Sequence, residues 1–300
     1  MNMQAIRRGW KNAWTMVVLF FVGTTMVSGG ESYWKGVPSS SVQAPSLWTD
    51  AANWFDGRIP ASGDNVYFTN NLVVASNYYV RLPDEGVTVD LLTVRYPGSL
   101  GTIRFVGGPI TLTGSNKALY ADSQYTEFHT EIRGDEGVTM RTSWGGYVYR
   151  KMNFSGPLVI QSGSLTARLD GWADNTNSVV ENWITTNDVV LKADLMLNAR
   201  PGQNAITATY ALTQGSRNAI RVSGTAPRTG APITGPGIEA DTFVQHTPEG
   251  SLFVMNKPAT QTIASATLSF PAMNFTCVQN IRTLMVSNNN VQIKMNASGG

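Results

Sequence analysis

Short runs of strand-forming residues, separated by turn-forming residues, constrain the fold of this chain more than any other feature. The first of them occupy residues 72–75, 78–82, 87–95, 102–106 and 109–113. Runs this short are typical of a β-sandwich, a β-barrel or a β-solenoid. Charged residues make up only 14% of the 300 positions, whereas 42% are hydrophobic and can form a core. We therefore predict an all-β fold.

Two internal similarities favour the solenoid. FVGGPITL begins at residue 105 and FSGPLVI at residue 154, 49 residues later, and LTVRYPG at 92–98 is echoed by LNARPG at 197–202. Imperfect repeats of this kind predict stacked coils of roughly 20 to 25 residues, so that 49 residues would be two coils. A sandwich of antiparallel hairpins is the alternative. Strand pairing distinguishes them, since a solenoid pairs each strand with one about a coil later.

The segment at residues 48–68, WTDAANWFDGRIPASGDNVYF, is rich in aromatic and turn-forming residues. A solenoid ends in an open edge of unpaired backbone groups and core side chains, so it needs a cover. Trp48, Trp54 and Phe55 are large enough to provide one, with a carbohydrate-binding platform as the alternative. The predicted cap residues are Trp48, Asn53, Trp54, Pro60, Gly63 and Asp64.

The spacing of these residues resembles the opening segment of exported bacterial proteins with autotransporter-associated β-strand repeats, W-x-x-x-x-N-W-x-x-G-x-x-P-x-x-G-D-x-V-x-F. It is similar, more loosely, to the start of the G8 domain. Residues 152–169 also resemble the repeat, although they lack its Asn/Thr-Tyr-Thr-Gly turn; the matching residues are Phe154, Ser155, Gly156, Ser162, Gly163 and Leu165. The resemblance implies a right-handed parallel β-helix in an exported protein.

Residues 1–30 have the pattern of a secretory signal peptide. Arg7, Arg8 and Lys11 precede an apolar run at 14–22, and small residues follow at 28–30. An uncleaved anchor is the alternative, but the run is shorter than the ~20 residues that span a bilayer. Without these three bases the chain has 19 bases and 20 acids. We expect export to the periplasm, cell surface or exterior, membrane contact only through this segment, and no nucleic-acid partner.

The predicted organisation is a signal peptide at 1–30, a cap segment at 31–69 and a β-solenoid at 70–300. Residues 223–237 contain four Gly and three Pro and form a predicted loop, and residues 177–185 a short helical turn. Cys277 is the only cysteine, so an internal disulfide is excluded and stability must come from packing and strand ladders.

Strong catalytic signatures are missing: the sequence has no G-x-S-x-G, H-E-x-x-H or G-x-x-x-x-G-K-[ST] motif. We predict no cofactor and no metal site. Period-two alternation over residues 125–135 places one polar stripe on the outer face of a strand. Its candidate catalytic residues are His129, Glu131, Arg133 and Asp135, and a mutually paired, solvated stripe is the alternative.

A second set of candidates combines aromatic rings with a cation and could bind a sugar: Trp144, Tyr147, Tyr149 and Lys151. Packing between coils is the alternative. We expect a non-enzymatic structural or adhesive β-helix module at the cell surface, whose partner is a polysaccharide or cell-surface glycan. A polysaccharide lyase or hydrolase acting on the outer face is the alternative function. The oligomeric state stays open.

Overall fold

The computed structural model describes residues 29–36, 39, 44–69, 78–95, 102–114, 116–122, 125–134, 136–142, 146–168, 173, 179–181, 184, 188–199, 203–249, 251–274, 276–279, 281–286 and 291–297. The predicted signal peptide therefore lies outside the described residues except at Gly29 and Gly30. In this part of the chain the only helical element is a 3-10 turn, Ala51–Asn53. The all-β prediction is confirmed. No helix in the described ranges has the length and apolar character that crossing a bilayer requires.

The strands, in chain order, are β1 (Glu31–Tyr33), β2 (Ser46–Leu47), β3 (Asp64–Phe68), β4 (Tyr78–Arg81), β5 (Val87–Val94), β6 (Thr102–Val106), β7 (Ile110–Leu112), β8 (Ala118–Ala121), β9 (Tyr125–His129), β10 (Ile132–Gly134), β11 (Val138–Thr142), β12 (Gly146–Val148), β13 (Met152–Phe154), β14 (Leu158–Ser162), β15 (Ser164–Arg168), β16 (Val179–Glu181), β17 (Asp188–Leu191), β18 (Asp194–Ala199), β19 (Ile206–Leu212), β20 (Asn218–Ser223), β21 (Val244–Glu249), β22 (Leu252–Met255), β23 (Ile263–Phe270), β24 (Thr276–Val278), β25 (Thr283–Val286) and β26 (Ile293–Ala297).

Most of these strands form two parallel sheets. The first runs β13-β10-β7-β5-β8-β11-β14-β17-β25, with β3 joined to β5 and β1 to β3, and the second runs β2-β4-β6-β9-β12-β15-β18-β26. Thr126 pairs with Ile103 and with Gly146, which lie 23 and 20 residues away. Parallel neighbours need such intervening chain, because a tight hairpin gives only antiparallel ones. The prediction of parallel sheets is confirmed.

The 49-residue similarity does not mark stacked positions, and that prediction is wrong. Phe105 pairs with Phe128 in the second sheet, whereas Phe154 pairs with Gly134 in the first. The two segments share a Gly and Pro turn before a strand, and such a turn occurs at more than one place in each passage of the chain.

The inward faces of the parallel sheets share one hydrophobic core. Along β3 the side chains alternate between buried and half-buried, which is the period of a strand with one face on the core. Phe68, Phe105 and Phe128 continue this core from strand to strand, with ring centroids 5.1 and 5.3 Å apart. The core therefore extends continuously along the parallel sheets.

Tryptophans pack into this core at its N-terminal end. Trp48 and Trp54 are both buried, and their rings meet edge to face with centroids 4.9 Å apart. The Trp54 Nε1–H donates to the Trp48 carbonyl oxygen at 2.8 Å, so its polar atom is satisfied. Trp34, which the sequence reasoning missed, contacts Trp54 at the same centroid distance. Phe55 is 59% exposed, so its predicted part in the cover is wrong, and Trp54 is too buried to be a carbohydrate platform.

A buried carboxylate holds the first strands together beside these rings. Asp64 accepts hydrogen bonds from the backbone N–H groups of Gly30 and Ala61, both at 2.8 Å, and forms an ion pair with Arg58 at 2.8 Å. Burial opposes the charge, but these hydrogen bonds and the guanidinium outweigh it and lower the pKa of Asp64. The carboxylate therefore joins the chain before β1 to the start of β3.

The remaining predicted cap residues lie in turns. Asn53 donates through Nδ2 to the Leu47 carbonyl oxygen at 2.8 Å. Gly63 has a φ of +84°, which suits a residue without a Cβ, and it directly precedes β3. Pro60 is half-buried and lies outside the strands.

Residues 206–270 depart from the expected parallel arrangement. Strands β21-β22-β20-β19-β23 form an antiparallel sheet, here called the antiparallel unit, with a separate hydrophobic core. The structure thus differs from the expectation of one continuous solenoid over 70–300, because this unit interrupts it between β18 and β25. A bridge between Gln203 and Met273 joins the points where the chain enters and leaves the unit.

The predicted loop at 223–237 and the predicted helical turn at 177–185 have different outcomes in the structure. The Gly- and Pro-rich residues 223–237 contain no strand beyond Ser223 itself, yet Ala231 and Ile233 are buried in the core of the antiparallel unit. The predicted helical turn at 177–185 is wrong, because residues 179–181 form β16, which pairs with β24. Strand pairing between distant segments has overridden the local helical pattern.

Candidate functional site

A row of polar side chains crosses the outer face of the second parallel sheet. Tyr79, Arg104, Glu127 and Tyr147 occupy paired positions on β4, β6, β9 and β12. Their neighbour Phe105 is buried, so alternation directs this row away from the core. The Arg104 Nε lies 2.6 Å from the Glu127 Oε2, and the Arg104 guanidinium also donates to the Tyr79 hydroxyl at 2.9 Å.

A second row lies two positions further along the same face. The rings of His129 and Tyr149 stack with centroids 4.0 Å apart. Arg168 lies with its Cζ 5.1 Å from the Tyr149 ring centroid and donates to the Tyr149 hydroxyl at 3.3 Å. Because β12 lies between β9 and β15, the Tyr149 ring is held between the imidazole and the guanidinium.

A hydrogen-bonded chain connects this face to the antiparallel unit. The His129 Nε2 lies 2.8 Å from the Glu127 Oε2, and the His129 Nδ1 lies 2.8 Å from the His246 Nε2. A carboxylate only accepts, so the ring proton of neutral His129 is on Nε2. Nδ1 then accepts from the Nε2–H of His246. Both histidines are buried, with 2% and 4% of their surface exposed.

Burial and pairing determine the charges of the hydrogen-bonded side chains. Although burial favours the neutral acid, the hydrogen bond from His129 and the hydrogen bond and positive charge of Arg104 lower the pKa of Glu127 to about 2. Burial lowers the pKa of His129, and Glu127 opposes that change only in part. Burial works against the charge of Arg104, but Glu127 raises the pKa of this guanidinium. At neutral pH the site therefore holds an ionised Glu127, a charged Arg104 and a neutral His129.

A cleft of about 540 Å³ opens where the outer face meets the antiparallel unit. This arginine cleft is lined by Arg104, Glu127, Tyr149, Arg168, Arg221, Thr225, Ala226, Pro227, Arg228 and Thr247. Four arginines face one glutamate, whose charge Arg104 already pairs. The cleft therefore has a strongly positive potential, which favours anionic groups.

The predicted catalytic stripe is divided between two sheets. His129 ends β9 in the second sheet, whereas Arg133 lies in β10 of the first and pairs with Glu131 at 2.7 Å. The alternation assumed one straight strand, but the chain passes from one sheet to the other at residues 130–131. Neither Glu131 nor Arg133 lines the arginine cleft, and Asp135 lies outside the described residues.

The predicted sugar-binding residues are also separated. Tyr149 lines the arginine cleft, Tyr147 belongs to the outer row, and Lys151 is exposed away from the cleft lining. Trp144 lies outside the described residues. Sequence reasoning missed Arg104, Arg168, Arg221, Arg228 and His246 as site residues. The one available signal was that His129 and His246 are the only histidines of the chain.

Within the described ranges, no group of three or more His, Cys, Asp or Glu side chains is placed to hold a metal ion. Comparison with protein-family models, curated proteins and solved structures finds no match to this chain. The function must therefore be inferred from the geometry of the site.

Proposed function

We propose that this chain is an exported structural or adhesive module, a right-handed parallel β-helix that binds a glycan on its outer face. Parallel pairing at intervals of about 20 residues supports the β-helix, and the signal-like residues 1–30 support export. A module of this kind offers a long, stable scaffold, and its binding function resides in outward side chains.

The arginine cleft is the observation that carries the binding function. It is concave, it lies in the range of volumes that accommodate small ligands, and it joins the outer face to a second unit. Incubation with a panel of acidic and neutral polysaccharides, following binding and product release together, tests the proposal. We expect binding without release. Absence of binding to every polysaccharide would contradict it.

A polysaccharide lyase or hydrolase is the second candidate. Tyr149 favours it, because its hydroxyl accepts from Arg168 beside the Glu127–His129 pair and so could transfer a proton to a ligand in the cleft. Product release that is lost in Tyr149→Phe and retained in Glu131→Gln would favour the enzyme over the adhesive module.

Export has its own test. N-terminal sequencing of the secreted form should give a mature chain that begins near residues 29–31. A soluble cytoplasmic product that keeps Met1 would contradict export.

A further inference from the structure

The charge of the arginine cleft is unusual for this chain. Beyond residue 30 the sequence is nearly neutral, with 19 bases against 20 acids, yet the cleft gathers four arginines around one glutamate. Like charges placed together in a partly desolvated cleft repel one another, so a bound anion would stabilise the arrangement.

The arginines are not equally available to such an anion. Arg104 is engaged with Glu127 and Tyr79, and Glu127 is shared with His129. Arg221 donates to the Gly224 carbonyl oxygen at 3.2 Å, and among the described residues neither it nor Arg228 forms an ion pair with a carboxylate. Arg221 is half-buried and Arg228 is exposed at the same cleft.

The aromatic ring of the cleft is engaged as well. His129 and Arg168 contact the Tyr149 ring from neighbouring strands, so stacking on that ring, a common way to hold a neutral sugar, is blocked. Recognition must then depend on guanidinium groups, whose planar fork matches the paired oxygens of a carboxylate or sulfate. A cleft of about 540 Å³ exceeds the size of one such group and has room for the sugar that carries it.

Building on the proposed glycan binding, we infer that the arginine cleft selects anionic saccharides, through Arg221 and Arg228, and rejects neutral ones. The shared chemistry of the ligand is a carboxylate or sulfate group on a sugar ring. Arg168, which holds Tyr149, lines the side of the cleft formed by the parallel sheet, and Arg221 and Arg228 line the side formed by the antiparallel unit.

Binding is measured by calorimetry with polygalacturonate, dextran sulfate, neutral dextran of matched length, polyphosphate and inorganic sulfate. The two acidic saccharides should bind, and their relative affinity shows whether a carboxylate or a sulfate is preferred. Arg221→Gln and Arg228→Gln should each weaken binding by about tenfold, the effect of one lost charge-assisted hydrogen bond. The matched control is Arg282→Gln, which removes the same charge from an exposed pair with Asp188, outside the cleft.

The outcomes separate the two proposals. Equal binding of neutral dextran, or equal weakening by the control and the cleft variants, would overturn the inference and leave glycan binding intact. Polyphosphate or inorganic sulfate that binds as tightly as the acidic saccharides would show a general anion site and would also overturn it. A wild-type protein that binds no saccharide would contradict the proposed function itself. Arg228→Lys, which keeps the charge without the planar fork of the guanidinium, should bind the acidic saccharides more tightly than Arg228→Gln and less tightly than the wild type.

Discussion

The Nδ1 atom of His129 lies 2.8 Å from the Nε2 atom of His246, although 117 positions separate the two residues in the sequence. His129 belongs to the second parallel sheet and His246 to the antiparallel unit. Next to His246, the Gln245 carbonyl oxygen accepts from the Ala173 N–H at 2.8 Å. The position of β21 over the parallel sheet therefore depends on polar groups that bond well only in one arrangement.

His246→Ala should destabilise the protein. It leaves the Nδ1 of His129 buried without its donor, and an unsatisfied buried polar group costs about 1–3 kcal/mol. Urea denaturation measures the free energy of unfolding, and hydrogen exchange of the β21 amides shows whether the antiparallel unit loosens first. His246→Gln, which keeps an N–H donor, is the control and should lose less. An unchanged unfolding free energy in His246→Ala would show that the contact is not stabilising.

Acid should destabilise the protein in two steps. The pKa of His129 is lowered in the fold, so the unfolded chain binds more protons below about pH 6.5 and stability falls as the pH decreases from there. The lowered pKa of Glu127 contributes stability above its ordinary value of 4.5, and this is lost as the pH falls towards 2. Thermal melting across pH 8 to 2 measures both steps.

The histidine step has a decisive control. Because the chain has only two histidines, a His129→Gln, His246→Gln double variant should show an almost constant melting temperature between pH 7.5 and 5.5. A wild-type profile that is equally flat over this range would contradict the assignment.

Trp54→Ala should cost roughly 3–5 kcal/mol, the usual effect of removing a fully buried large aromatic side chain. It also opens the end of the core, so the variant should self-associate. The neighbouring Phe55 provides a matched control, because it is 59% exposed and Phe55→Ala should change stability by less than about 0.5 kcal/mol. Melting curves and light scattering would refute the cap if both variants behaved as the wild type does.

Gly163→Ala and Gly215→Ala separate steric conflict from backbone strain. Both glycines have nearly the same φ, +78° and +79°, so an alanine costs each about 1–2 kcal/mol of left-handed strain. A Cβ at Gly163 would lie 1.6 Å from the Thr142 carbonyl oxygen, whereas one at Gly215 meets nothing within 4 Å. Gly163→Ala should therefore lose a further 1–3 kcal/mol or more in chemical denaturation. Equal losses would mean that the turn at Gly163 adjusts freely.

Much of the strand content could be predicted from the sequence, because period-two alternation is a local property. The run predicted at 78–82 overlaps β4, and the one predicted at 102–106 coincides with β6. Strand direction is not local, and for that reason the hydrophobic pattern of β23 gave no sign that it would pair antiparallel with β19. The 49-residue similarity failed for a related reason, since turn chemistry repeats without regard to stacking.

The candidate site was less predictable because its parts come from segments far apart. Tyr149 was chosen for its ring and does line the arginine cleft, whereas Arg168 and Arg221 reach the cleft only through strand register and through the placement of the antiparallel unit. In the sequence, Glu131 and Arg133 continue the alternation of residues 125–129. The chain changes sheets between them and His129, and this directs them elsewhere.

The bridge between Gln203 and Met273 bears on how the protein folds. Each of the two residues donates its N–H to the carbonyl oxygen of the other, at 2.9 and 2.8 Å, so the antiparallel unit begins and ends at one place. Strand β17 pairs with β25, which lies beyond the antiparallel unit in the sequence. This pairing can therefore form only after the whole unit has been synthesised. If the unit forms first, the roughly 70 residues between Gln203 and Met273 no longer count as a flexible loop, and the entropy cost of joining β25 to β17 becomes that of a short connection.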